Sequence, residues 1–241
     1  MNTPENTTDP VPPPPPADER FLHRAIDGPC HPFAVVETLL KQPGRILFEL
    51  RGNRAATVCA GLCLVGAVCL AIYGIVAGSL TGGEQLLFAP VKILLGSILC
   101  AVICLPSLFI FLCLGGADVK LRSVAGELLA SVALTSLLLL GFAPVAWVFS
   151  QSTDSVALIA VLHLIFWAIA LCFGLRIIGR RSAGRSSRIW IAIYVVVCLQ
   201  MMTALRPILG RSTTVFPSEK KFFLTHMMET LTKPSKPVQG R

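Results

Sequence analysis

The chain has 241 residues and a formal net charge of +8, with 54% hydrophobic and only 14% charged residues. A soluble domain carries about 25% charged residues, so this composition excludes an ordinary water-soluble domain and predicts a membrane protein. Because the basic residues flank apolar stretches, the positive charge indicates membrane topology and contact with anionic lipids, and no nucleic-acid partner is expected.

Residues 1–20 are predicted to form a disordered, proline-rich tail. The run from Val11 to Pro16 is one valine followed only by prolines. Such a segment cannot form a hydrophobic core and favours extended polyproline conformations. An alternative role for this run is docking into an aromatic groove of a partner. The tail also lacks the basic and apolar regions of a signal peptide.

Residues 21–54 are predicted to contain two short amphipathic helices next to the membrane. Pro32 and Pro43 each occupy a position typical of the first helical turn. Two apolar stripes at helical spacing follow them: Val36, Leu39 and Leu40, then Ile46, Leu47 and Leu50. The helices lie on the membrane surface or dock against the cytoplasmic face of the bundle, and the sequence favours neither alternative.

Residues 55–205 are predicted to form an all-α, polytopic transmembrane helical bundle of about five spans. About 20 apolar residues at 1.5 Å each cross the roughly 30 Å core of a bilayer. The clearest candidate is Leu86–Leu114, where Lys92 is the only charged residue. The predicted crossings are Ala55–Ala77, Val91–Leu112, Val124–Phe149, Val156–Leu175 and Ile189–Leu205.

Two prolines are predicted to kink these helices, Pro106 near the end of the second span and Pro144 near the end of the third. A proline within a helix removes one backbone hydrogen bond. In a bilayer the freed carbonyl needs a new partner, and we expect a neighbouring helix or Ser107 to supply it. Gly115 and Gly116 are expected to end the second span.

The distribution of lysine and arginine predicts an integral, multi-pass protein with a cytoplasmic N-terminus, in the cytoplasmic membrane if the source is bacterial. The two turns assigned to the outside, 78–85 and 150–155, contain no lysine or arginine. The loop before the fifth span is the most basic inner segment, and we assign its arginines to topology and to contact with anionic lipids. These arginines are Arg176, Arg180, Arg181, Arg185 and Arg188.

Residues 206–241 form a basic C-terminal tail. Leu224, Met227, Met228 and Leu231 stand at helical spacing within it, which predicts a short amphipathic helix. Five spans place this tail outside, against its basic character. The alternative is that one span is re-entrant and the tail lies inside.

Four polar side chains within the predicted spans are functional candidates, because ionisable residues are costly in a bilayer. Lys92 and His163 are expected to share the outer half of the membrane with Gln200 beneath them. These three residues form the candidate polar site, and they would line a ligand or ion pathway. Glu127 is expected near the inner surface instead.

A second interpretation explains the same residues without a ligand or ion pathway. Lys92 would extend its side chain to the outer interface, and His163 and Gln200 would make hydrogen bonds between helices. Glu127 would lie beside Lys120, Arg122 or the arginine-rich loop.

No catalytic, cofactor-binding or metal-binding set is evident in the sequence. Of the nine cysteines, Cys59 and Cys63, and likewise Cys100 and Cys104, stand four residues apart. No histidine or carboxylate accompanies either pair, so we interpret them as packing residues. The chain contains neither a glycine-rich phosphate loop nor a His-Glu-x-x-His motif. We therefore expect no cofactor and no enzymatic activity.

The order of these features resembles the Yip family of Ypt/Rab-interacting membrane proteins and its broader bacterial relatives. The resemblance lies in Pro32 to Pro43 before the first span, in Leu105-Pro106-Ser107-Leu108 ahead of Gly115-Gly116, and in Pro144. It implies a non-enzymatic protein that assembles with other membrane proteins or with itself, or that organises the membrane. The alternative function is a small transporter or channel subunit.

Overall fold

The computed structural model of the protein describes residues 32–79, 85–116, 118–153, 156–179 and 185–204. The predicted tails, 1–20 and 206–241, and the residues Arg180 and Arg181 lie outside this part of the chain. Every regular element in the described part is an α-helix, which confirms the predicted all-α helical bundle. The helices are α1 (Pro32–Lys41), α2 (Pro43–Glu49), α3 (Ala55–Gly78), α4 (Gln85–Leu114), α5 (Leu121–Ser152), α6 (Val156–Gly179) and α7 (Arg185–Ala204).

Four of these helices, α3 to α6, are long and apolar enough to cross a membrane. They confirm the first four predicted spans, although α4 and α5 extend several residues beyond the predicted ends of their apolar cores. The fifth predicted span is present as α7, whose apolar section Arg188–Met201 is shorter than the other four. That α7 crosses the membrane stays a prediction.

The helix α5 contacts most of the other helices and packs most extensively against α3 and α6, while α4 packs against α3 and α7. Glycine permits the closest approaches between them. A Cβ atom at Gly174 of α6 would lie 2.7 Å from the carbonyl oxygen of Ser131 in α5. A Cβ atom at Gly74 of α3 would lie 2.8 Å from that of Pro90 in α4. Small residues therefore let these backbones meet without a hydrophobic driving force.

The direction of the helices gives the bundle one strongly charged end. Val58 of α3 clusters with Ala130 of α5, and Tyr73 clusters with Ala143, so these two helices run the same way. Leu112, near the end of α4, clusters with Val124 at the start of α5. The starts of α3 and α5 and the end of α4 thus meet at one end of the bundle.

Every lysine and arginine that the structure describes, apart from Lys92, belongs to this end, which we call the basic end. It comprises α1, α2, the starts of α3, α5 and α7, and the ends of α4 and α6. Its basic residues are Lys41, Arg45, Arg51, Arg54, Lys120, Arg122, Arg176, Arg185 and Arg188. The structure therefore has the asymmetry of basic residues on which the topology prediction depends.

The two short helices dock against the basic end of the bundle, which is one of the two alternatives that the sequence left open. Ile46 and Leu50 are buried as predicted, together with Val58 and Ala130 of the spans. A Cβ atom at Gly61 of α3 would lie 3.2 Å from a methyl carbon of Val35 in α1, so this contact is close.

Of the three residues predicted to form the apolar stripe of α1, only Leu39 is buried. The structure buries Val35 and Leu39, leaves Val36 partly buried and exposes Leu40. The error arises because α1 has apolar side chains on two sides, and spacing alone does not show which side meets the bundle.

Large aliphatic side chains cover the outside of the membrane-length helices. On α3 these exposed residues are Leu64, Val68, Ile72 and Ile75, and on α4 they include Val91, Ile98, Val102 and Ile110. A water-soluble protein rarely exposes apolar surface on this scale. This surface is suited to contact with lipid acyl chains.

The helix α4 continues through both Pro90 and Pro106 and ends at Leu114, before Gly116 adopts a φ of +80°. The glycine pair therefore ends the second span as predicted, because that left-handed conformation favours glycine. The Ser107 hydroxyl donates to the carbonyl of Cys104 at 2.8 Å, so its observed acceptor is not the carbonyl that Pro106 leaves without a donor. The kinks predicted at Pro106 and Pro144 stay predictions.

Candidate functional site

A buried polar pair joins α3 and α6 inside the half of the bundle away from the basic end. The Tyr73 hydroxyl lies 2.6 Å from His163 Nδ1, and the two rings meet edge to face with centroids 5.5 Å apart. Both residues are buried. The hydroxyl donates when Nδ1 is unprotonated, and the ring proton then resides on Nε2.

The second ring nitrogen of His163 is the unusual feature of this pair. Nε2 is buried and makes no hydrogen bond within the described part of the chain. A buried polar atom that makes no hydrogen bond costs free energy. Ionisable residues inside membrane spans are costly as well, so they are candidates for functional residues. His163 is therefore the strongest candidate for a functional residue in the spans.

Lys92 is also buried, since it is only 1% exposed. Pro90 lies against Gly74, the neighbour of Tyr73, and Ile93 packs against the cluster that contains Tyr73. Lys92 thus lies between two residues of α4 that pack near Tyr73. That Lys92 shares its depth with His163, or instead extends to the outer interface, stays a prediction.

Gln200 is not buried with the other candidate residues. It lies on α7 as an exposed residue, whereas Lys92 and His163 are interior. Sequence reasoning placed it in the site from depth alone, and depth does not show which face of a helix is buried.

Tyr73 is the member of the site that sequence reasoning missed. A signal was present, because the chain has only two tyrosines and a buried tyrosine hydroxyl usually needs a hydrogen-bond partner. The sequence does not identify that partner, since His163 is 90 positions away.

A second buried ionisable group lies at the basic end. Glu127 is 1% exposed, and its Oε1 atom lies 3.7 Å from Nη2 of Arg51. Glu127 thus meets a basic residue, as predicted, and this residue, Arg51, comes from the loop before α3.

The predicted lipid-contacting arginines are only partly described. Arg176 and Arg188 are exposed, and the guanidinium of Arg176 lies 4.7 Å from the ring centroid of Phe173. Arg185 begins α7. Their contact with anionic lipid stays a prediction.

Several hydroxyl groups inside the spans donate hydrogen bonds within their own helices. The hydroxyl groups of Ser97, Thr135 and Ser136 donate to backbone carbonyls three or four residues earlier, which lets them enter an apolar environment. No group of three histidine, cysteine or acidic residues in the described part of the chain is arranged to hold a metal ion. The Tyr73–His163 pair can exchange a proton, and both side chains can make hydrogen bonds.

Comparison of this chain with protein-family models, with curated proteins and with solved structures finds no match.

Proposed function

We propose that the chain is a non-enzymatic, Yip-like integral membrane protein that assembles with other membrane proteins through its basic end. Four membrane-length helices support the membrane assignment. The observation that carries the proposal is the docking of α1 and α2, which fixes charged side chains in place at one end of the bundle. The Yip-like order of features in the sequence agrees with this arrangement.

The docked helices pack apolar residues against the spans and expose the charged residue Lys41. Val35, Leu39, Ile46 and Leu50 are buried against the spans, while the Lys41 side chain is 71% exposed. Charges held on a rigid support favour specific partners more than charges on a flexible tail do, because less conformational entropy is lost on binding.

The proposed orientation has the basic end and the N-terminus in the cytoplasm. This follows from the positive-inside rule, by which loops rich in lysine and arginine remain on the cytoplasmic side. In the cytoplasm, the docked helices are accessible to cytoplasmic portions of other membrane proteins.

Charge reversal on the exposed side of this end tests the proposal without disturbing the docked face. The double variant Lys41→Glu/Arg54→Glu changes two exposed residues and leaves the buried apolar contacts intact. We expect complexes formed in native membranes and fixed by chemical crosslinking to be reduced several-fold relative to the unaltered chain.

The matched control is Gln151→Glu, an exposed change near the opposite end of α5, which is expected to leave the complexes unchanged. Equal complex formation by all three proteins would contradict the proposal. Each variant is first compared with the unaltered chain in thermal unfolding, so that misfolding is not mistaken for lost assembly.

A second candidate function, a small transporter or channel subunit, is favoured by one observation. Lys92 and His163 are both buried, and Tyr73 lies within hydrogen-bond distance of His163, while Gln200 is exposed. Reconstituted protein would then conduct protons or small ions across vesicles, and Lys92→Met and His163→Leu would abolish that flux. Assembly that persists in both variants, without flux in the unaltered protein, favours the first candidate.

A further inference from the structure

The helix α1 has three faces, two of which adjoin each other. With 3.6 residues per turn, positions 35 and 39 lie about 40° apart, positions 33 and 40 about 20° apart, and positions 37 and 41 about 40° apart. Position 37 is also about 40° from position 33, so the charged face borders the exposed apolar face. Val35 and Leu39 form the face that is buried against the bundle. The other two faces are exposed, and they differ completely in chemistry.

One exposed face is charged and requires water. Glu37 and Lys41 form an ion pair of 2.7 Å on this face, with both side chains well exposed. The hydrogen bond and the charge of Lys41 hold the pKa of the Glu37 carboxyl below its usual value, so the pair is ionised at neutral pH.

The other exposed face is apolar. Phe33 is 81% exposed and Leu40 is 53% exposed. Leaving either side chain in water instead of burying it is unfavourable. The aqueous charged face and this apolar face share one short helix, which is the pattern of helices that lie at a membrane interface.

The position of α1 favours lipid over water at the apolar face. Val35 packs against Gly61, which lies six residues into α3 and therefore about 9 Å from the start of that helix. The next turn of α3 exposes Leu64, as expected for a lipid-facing position of a span. Val35 is therefore level with the apolar part of α3, and the exposed Phe33–Leu40 face belongs to the same short helix.

We propose that α1 is an interfacial helix whose Phe33–Leu40 face inserts into the glycerol and acyl-chain region of the lipid leaflet at the basic end. The bilayer, not a protein, is the partner of this face. The charged face stays in water and the Val35–Leu39 face holds the helix to the bundle. This inference adds a lipid partner to the proposed function and does not depend on which protein assembles with the chain.

Site-specific photocrosslinking tests the inference. The photoreactive amino acid p-benzoylphenylalanine replaces Phe33, Leu40 or, as the matched control on the charged face about 80–100° away, Lys41. The full-length protein is reconstituted in vesicles of phosphatidylcholine and phosphatidylglycerol and irradiated, and lipid adducts are quantified by mass spectrometry. We expect several-fold more lipid adduct at positions 33 and 40 than at 41.

Equal lipid adduct at positions 33 and 41 would overturn the inference, and so would adducts to a polypeptide in place of lipid at position 33. All three positions are exposed, so the substitutions leave the core intact, and an unchanged thermal unfolding curve verifies this. Because the readout is lipid attachment, the inference can fail while complex formation persists, and the converse also holds.

Discussion

Nη2 of Arg51 lies 3.7 Å from Oε1 of Glu127 and joins the loop before α3 to the second turn of α5. The Glu127 carboxylate is buried, whereas the Arg51 side chain is 53% exposed. A carboxylate buried without a nearby cation would be strongly destabilised. On the adjacent residues, Leu50 packs against Gly126. An ionic contact and an apolar contact side by side therefore hold the docked helices to α5.

Removing the cation of this pair should destabilise the protein. We expect Arg51→Gln to lower the free energy of unfolding by about 1–2 kcal/mol, less than the 3–5 kcal/mol typical when one partner of a fully buried pair is lost, because Arg51 is half exposed. Unfolding is measured by titrating detergent-solubilised protein with a denaturing detergent.

The control for this prediction is Lys41→Gln, which breaks an ion pair whose two side chains are 71% and 64% exposed. Surface pairs contribute little to stability, so no measurable change is expected. The double variant Arg51→Gln/Glu127→Gln should be less destabilised than the sum of its single variants. Equal losses for Arg51→Gln and Lys41→Gln would show that Arg51 does not support Glu127.

The close contact of α5 with α6 predicts a steric effect at Gly174. A Cβ atom there would meet the Thr135 hydroxyl and lie 2.7 Å from the carbonyl oxygen of Ser131, so Gly174→Ala should cost about 1–3 kcal/mol through overpacking. At Gly141 nothing lies within 4 Å of an added Cβ, so Gly141→Ala should be neutral or slightly stabilising. Thermal unfolding in detergent distinguishes the two, and an equally mild effect at both would contradict the observed helix packing.

The spans and the basic end could be predicted from the sequence because they depend on the combined hydropathy or charge of many residues. Long apolar helices are recognised by length and hydropathy alone, and α3 to α6 appear where they were expected. The boundaries were less accurate, since α4 begins at Gln85 rather than at Val91. A helix can continue beyond the apolar core of a bilayer, so hydropathy does not fix its last turn.

The contacts of the polar residues could not be predicted, because they depend on how helices rotate and pack. Shared depth led us to group Gln200 with Lys92 and His163, but Gln200 is exposed whereas the other two are buried. For the same reason, the sequence did not show that Tyr73 contacts His163 or that Arg51 contacts Glu127. In α1, apolar residues on two sides led to Val36 and Leu40 being assigned to the face that Val35 and Leu39 occupy.

The hydrogen bond between Tyr73 and His163 predicts a coupled effect on stability. Tyr73→Phe removes the hydroxyl and leaves Nδ1 of His163 without its observed partner, in a site where Nε2 already has no hydrogen bond within the described residues. Hydrogen bonds between membrane helices contribute about 0.6 kcal/mol on average and up to about 1.7 kcal/mol, so a loss within that range is expected.

The double variant Tyr73→Phe/His163→Leu removes both polar partners and should be more stable than the sum of the two single effects predicts. The measurement is again unfolding by denaturing detergent, analysed as a double-mutant cycle. Strictly additive effects would mean that the two side chains do not stabilise each other.

The attachment of α7 to the bundle predicts a specific role for Ser107. The Trp190 indole N–H donates to the Ser107 hydroxyl oxygen at 3.1 Å, and Trp190 is completely buried. Ser107→Ala removes this acceptor and should lower stability by about 0.6–1.7 kcal/mol, with α7 loosening from α4.

The matched control is Ser97→Ala. The Ser97 hydroxyl donates to the carbonyl of Ile93 in its own helix, so its loss should have little effect. Proteolysis after Arg188, compared across the three proteins, reports the loosening directly, and equal cleavage rates would show that this hydrogen bond does not hold α7 in place.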